Sequence, residues 1–144
     1  MKNYEFIEHT ADIGIKVKGQ DLQELFKNAA LAMFDIIGEL KPDSSVPATV
    51  KIPKFKVDIL QNAETLEELF VNWLNELLSL SAVKGLIFSD FKIDKLSEKY
   101  LEAAVIGGDI KNYKINTEVK AATYHELEIK KINSEWQAKI IFDV

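Results

Sequence analysis

Two aspartates near opposite ends of the sequence have the type and setting that could hold a metal ion. The chain opens Tyr4-Glu5-Phe6-Ile7-Glu8-His9-Thr10-Ala11-Asp12-Ile13-Gly14-Ile15 and closes Lys139-Ile140-Ile141-Phe142-Asp143-Val144, so each Asp stands at the edge of an apolar strand. If those strands are neighbours, Asp12 and Asp143 meet. With a terminal carboxylate at Val144 they then supply the oxygen donors that a hard cation such as calcium takes. The plainer alternative makes Asp12 the cap of a tight Asp-x-Gly turn and Asp143 a solvated terminus. Single Asp residues at strand ends are common, so on residue types alone the plainer reading leads.

Other constellations carry less. His9 and His125 are the two histidines. With Asp12 they could form a zinc set, but neither has a partner at metal-ligand spacing. No serine sits in a Gly-x-Ser-x-Gly elbow, so a Ser-His-Asp nucleophile is poorly supported. Gly107-Gly108 lacks the helix and the Lys-Ser/Thr of a phosphate-binding loop and reads as a turn. Glu64, Glu67 and Glu68 open a helix, where the dipole accounts for them. Trp73 reads as core, and Trp136 as either core or partner-facing.

The elements that must position these residues are legible from periodicity. Tyr4 to Glu8 and Ile13 to Val17 alternate like a half-buried strand pair, with Ile13, Ile15 and Val17 on one face and Lys16 and Lys18 on the other. Asp21, with Glu24 three residues on, starts a predicted helix to about Ile37, and Gly38 stops it. Lys41 to Pro47 is a loop flanked by prolines. Val50 to Ile59 reads as a strand disturbed at Pro53, which implies an edge or a bulge. Thr65 and Glu68 cap a second helix to about Leu80, with Leu66, Leu69, Phe70, Trp73, Leu74, Leu77 and Leu78 as its apolar stripe. Strands follow at Leu86 to Leu96, Tyr100 to Ile106, Lys120 to Ile132 and Glu135 to Phe142. Asn133-Ser134 is the expected hairpin turn. Gly107-Gly108-Asp109 is read as the point where the chain leaves the sheet. Ile110 to Thr117 is a loop or short connection. The expected class is α+β: about seven mainly antiparallel strands in a sheet, with two helices packed on one face.

Composition narrows the function. With 144 residues and 47% apolar content, the chain reads as one domain over residues 1–144 with a real core. A formal net charge of −5 argues against strong direct binding to nucleic acid, so an RNA role would be indirect. The absence of cysteine excludes disulfides, zinc-thiolate sites and thiol nucleophiles. Neither a secretory signal nor a membrane span is evident, so a soluble, cytoplasmic protein is expected.

Three separated segments, in order, resemble a known family: Glu8-His9-Thr10-Ala11-Asp12-Ile13-Gly14-Ile15, Lys120-Ala121-Ala122-Thr123-Tyr124-His125 and Ile141-Phe142-Asp143-Val144. Together with the helix around Trp73-Leu74-Asn75-Glu76-Leu77-Leu78 they are similar to archease over the full length. The resemblance implies a strand-helix-strand-strand type domain with an inserted helical segment. It also implies a non-catalytic activator of the GTP-dependent RNA-splicing ligase in tRNA splicing and RNA repair. Such a protein promotes ligase guanylylation and multiple turnover and broadens nucleotide use. It further implies a divalent metal ion, calcium, held by Asp12, Asp143 and Val144, with His9 and Lys120 as weaker partner-facing candidates by motif membership. Glu126 departs from the pattern, because relatives often carry Gly after Tyr-His. Two other readings stand beside this one. One is a chaperone or specificity modulator of a tRNA-modifying methyltransferase. The other, the weakest, is a stand-alone metal-dependent hydrolase using Asp12 and Asp143, for which no general base is positioned by motif.

Overall fold

A computed structural model of the chain describes residues 3–8, 12–42 and 53–144. In chain order the elements are β1 (Tyr4–Glu8), β2 (Asp12–Gly19), α1 (Leu22–Ile37), β3 (Gly38–Leu40), β4 (Lys54–Asn62), α2 (Leu66–Lys84), β5 (Leu86–Leu96), β6 (Tyr100–Asp109), a short 3-10 turn (Ile110–Asn112), β7 (Tyr113–Ile115), β8 (Ala121–Ile132) and β9 (Glu135–Asp143). The strands form a four-stranded sheet of order β1-β2-β9-β8, a three-stranded sheet of order β4-β6-β5 and the β3-β7 pair. Among the described residues every strand pairing is antiparallel. The class is therefore α+β, as the periodicity implies. The strands are shared among three sheets rather than one.

Helix α1 packs on β2 and on β5, and α2 on β8, β5 and β4, so the helices lie between the two larger sheets and each sheet meets them with one face. That middle layer is the core. Ile15, Val17, Phe26, Met33, Phe70, Trp73, Leu74, Leu101, Val105, Ile140 and Phe142 are all fully buried. Phe26 and Phe70 meet edge to face at 5.1 Å between ring centres, and Trp73 donates its indole N–H to the Phe26 carbonyl at 2.9 Å. This bond joins the helices and lets a large apolar ring be buried without stranding its polar atom. Trp73 is thus core, as its place on the apolar stripe predicts.

Local chemistry explains most boundaries. Asp21 accepts from Glu24 N–H at 2.7 Å and Thr65 from Glu68 N–H at 3.1 Å, which satisfies donors left open in each first turn. Asn133 and Ser134 sit at φ 50° and 69°, the twist a two-residue hairpin turn demands. Pro53 stands just outside β4, which is an edge strand, as a proline there requires.

Three sequence expectations need correction. Helix α2 runs one turn beyond Leu80, to Lys84, and stops at Gly85, whose left-handed backbone at φ 64° lets its N–H donate to the Ser81 carbonyl; Ser81 is buried and spends its hydroxyl on the Leu86 carbonyl at 2.5 Å. Gly38 does close α1, donating to the Phe34 carbonyl, but in an extended conformation that begins β3. Its partner strand β7 lies in the stretch read as a connection, so nine strands are described rather than about seven. Gly107 and Gly108 are not where the chain leaves the sheet. They lie within β6, paired on both sides with β4 and β5. A Cβ on Gly107 would stand 2.6 Å from the Ile87 carbonyl oxygen, so the glycine serves strand packing rather than a turn. The chain departs at Asp109, whose carboxylate accepts from Lys111 N–H at 2.9 Å. Of the predicted Lys41–Pro47 loop, residues 43–47 lie outside the described residues, as do Val50 and Ile52 of the predicted strand.

Candidate metal centre

Antiparallel pairing of β2 with β9 puts Asp12 directly opposite Asp143, and pairing of β9 with β8 puts Ala121 opposite Asp143 in turn. Directly opposed residues share a face, with Cβ atoms about 4.5–5.5 Å apart. Which face follows from the alternation. Ile15 and Val17 of β2, and Ile140 and Phe142 of β9, enter the helix layer, so Asp12 and Asp143 project on the opposite, outer face at the end of the sheet. Asp12 is half-buried, Asp143 exposed and Val144 half-buried against the core. Lys120 N–H donates to the Asp143 main-chain carbonyl at 2.8 Å. Asp12, Asp143, Val144 and Lys120 thus occupy one corner. His9 lies outside the described residues.

The next row of the outer face has Ile7, Gly14, Ile141 and Thr123 in register. A Cβ on Gly14 would reach within 2.8 Å of Ile141 Cδ1 and 3.2 Å of Ile7 Cβ, so glycine is what lets these two side chains close over the strand. Ile141 is 1% exposed despite facing outward. This apolar seam separates the carboxylates from a shallow depression of about 680 Å³ farther along the face, lined by Lys16, Lys18, Lys130 and Lys139 with Glu5, Glu128 and Glu135. Lys130 pairs with Glu128 at 3.1 Å, so that surface is a solvated charge mosaic.

Strand β8 breaks beside the carboxylate corner. Thr123 faces Ile141 while Glu128 faces Lys139, so five steps along β8 match two along β9 and three residues are extra. The bulge carries Tyr124, 57% exposed, and Glu126 at φ 53°. That is the left-handed region, costly for a residue with a Cβ and free for glycine. The departure at Glu126 therefore falls on a position whose backbone favours glycine. His125 Nε2 and Lys139 Nζ approach the Glu126 carboxylate at 3.6 Å each. His125 points to this surface pair, and β9 lies between its strand and that of Asp12.

The donor chemistry fits a hard divalent cation. Two directly opposed carboxylates offer hard oxygen donors to one divalent cation between them. Main-chain oxygen at Val144 is of the same hard type. Among the described residues no group of three His, Cys, Asp or Glu could hold a metal. The described donors are therefore fewer than the 6–8 oxygens calcium takes, leaving positions for water or for a partner's groups.

Residues 4–144 of the sequence match the Archease protein family (MTH1598/TM1083). The chain belongs to the archease family. It is 38% identical to the protein archease of Pyrococcus abyssi, over 100% of both chains, and 36% identical to that of Methanosarcina barkeri, over 99% of this chain and 97% of the relative. Its fold is similar to the solution structure of Methanobacterium thermoautotrophicum protein 1598, with a TM-score of 0.71 and 31% identity over 100% of both chains. It is also similar to the crystal structure of a Thermotoga maritima archease described as a possible chaperone, with a TM-score of 0.67 and 25% identity over 96% of this chain and 94% of that one. The three sequence segments that resemble the family converge on this one end of the four-stranded sheet, through β2, β8 and β9. Among the described residues no helix is long and apolar enough to cross a membrane. Sequence reading missed Asn75, on α2, which bonds the β8 main chain beside the carboxylate corner. Helix α2 carries several polar residues, so nothing local to Asn75 singles it out in the sequence.

Proposed function

We propose that this chain is a non-catalytic protein partner that activates the GTP-dependent RNA-splicing ligase of tRNA splicing. In this reading it promotes ligase guanylylation and multiple turnover and broadens nucleotide use. Asp12 and Asp143, with main-chain oxygen of Val144, hold a divalent cation, calcium, on the surface offered to the ligase. The observation that carries this reading is the direct opposition of Asp12 and Asp143 on the outer face, at the end where the family-like segments meet. Membership of the archease family over residues 4–144 supports the partner-acting role. When bound, a divalent cation supplies concentrated positive charge of the kind that neutralises phosphate oxygens. The chain's own part is to hold two carboxylates at fixed spacing on a rigid ladder, with Lys120 beside them. A net charge of −5 favours action on the ligase rather than on its RNA.

The test is ligase guanylylation with GTP and no RNA, with and without the chain. Stimulation by the wild type and its loss in Asp12→Ala are expected. Stimulation that appears only when RNA is added, or equal stimulation by Asp12→Ala, sinks the proposal. That outcome would favour the chaperone reading, toward a tRNA-modifying methyltransferase, which the description of the Thermotoga relative as a possible chaperone keeps in view.

A further inference from the structure

Strand β8 is an edge strand, and its first residues are poorly anchored by the ladder alone. Only Ala121, Ala122 and Thr123 pair with β9 before the three-residue bulge interrupts the register. Two further bonds tie this stub to β9: Lys120 N–H to the Asp143 carbonyl at 2.8 Å and the Thr123 hydroxyl to the Ile141 carbonyl at 2.8 Å. The remaining anchor comes from α2, in the helix layer itself. Asn75 Nδ2 donates to the Ala122 carbonyl at 3.1 Å, and Ala122 N–H donates to Asn75 Oδ1 at 2.8 Å. One side-chain amide thus satisfies both main-chain groups of Ala122, as a neighbouring strand would, and only a side chain with donor and acceptor side by side can do so.

We infer that Asn75 is a positioning residue for the carboxylate corner: it clamps the start of β8, and through Ala121 and Lys120 it fixes the end of β9 that presents Asp143. The inference rests on the calcium reading of that corner. A purely structural account is that Asn75 merely covers an exposed strand edge. The two differ in what happens at Lys120 and at the ion. Without the clamp the stub frays from the bulge toward Ala121, and Asp143, in the last pair of the β2-β9 ladder, keeps β2 as its one strand neighbour and is held less firmly opposite Asp12. The rest of the sheet does not depend on the clamp, because the β1-β2-β9 ladder is continuous.

The experiment uses the full chain as Asn75→Leu, which keeps the side chain's size without its polar atoms. Asn75→Ala, a good helix former, guards against overpacking by leucine. Two quantities are read: calcium affinity by calorimetry, and residue-resolved amide exchange by NMR. Losing this hydrogen-bonded pair should weaken calcium binding about tenfold and speed exchange at Lys120 and Ala122 by about tenfold or more. Exchange at Ile15 and Ile140 should keep wild-type rates. Wild-type calcium affinity in both variants, or unchanged protection of the Lys120 amide, overturns the inference. Asp12→Ala is the control. It should weaken calcium binding roughly a hundredfold, as loss of either facing carboxylate does, while leaving Lys120 protected. If the wild type itself binds no calcium, the reading of the corner fails, and the positioning inference is judged on the exchange at Lys120 alone.

Discussion

The two ends of the β8–β9 hairpin are held in different ways. At the turn end, Glu128 to Ile132 pair without interruption with Lys139 to Glu135, and Asn133 and Ser134 supply the left-handed turn between them. At the other end only three pairs precede the bulge, and the register there depends on Asn75 reaching over from α2 and on β2 lying along the far side of β9. The turn end is built by neighbours in sequence. The corner brings Asp12 to Lys120 and Asp143, each more than a hundred residues away from it, so its geometry depends on the whole fold being in place.

If that contrast is right, damage at the corner should cost function and damage at the turn should cost stability. The largest effect is expected for Asp143→Ala, which removes half of the facing charge: calcium affinity should fall roughly a hundredfold. Its thermal midpoint should stay near that of the wild type. A calorimetric titration indistinguishable from wild type would show that the corner does not bind the ion. Next in size is the double change Asn133→Ala and Ser134→Ala at the turn, where both positions need positive φ. Denaturation in urea should show a loss of about 1–2 kcal/mol, since the short polar side chains, asparagine's above all, ease the left-handed region by local hydrogen bonding and alanine does not. Calcium affinity should not change, and a parallel loss would mean the two ends are coupled. The smallest effect should come from Glu126→Gly within the bulge. Relief of the left-handed backbone should stabilise the chain by about 1 kcal/mol, set against the loss of exposed pairs with His125 and Lys139 worth little. A stability drop in the same urea assay would show that those pairs outweigh the backbone.

Much of this was legible from local chemistry. The alternation of Ile13, Ile15 and Val17 against Lys16 and Lys18 predicts which face of β2 is buried, and the caps at Asp21 and Thr65 start both helices where the pattern places them. The glycine pair at 107–108 misled because a glycine needed for close strand packing looks the same in sequence as one needed for a turn. The Ile87 carbonyl that excludes a side chain there is twenty residues away. Asn75 was passed over for a similar reason. An asparagine on a helix has no visible partner until the strand beside it is known.

The sequence by itself determined where the two helices start and the longer strands lie, the polar turn at Asn133-Ser134, the burial of Trp73 and the two carboxylates at strand ends. Each of these is decided by residues within a few positions of one another, through hydrogen bonds and periodicity that local backbone geometry sets. Only the tertiary structure decided that β2 and β9 are neighbours in a register that opposes Asp12 to Asp143, that the helices lie between two sheets, and that Asn75 closes the edge of β8. Strand order and register follow from packing apolar faces around a shared core, a global competition among pairings whose outcome no single segment encodes.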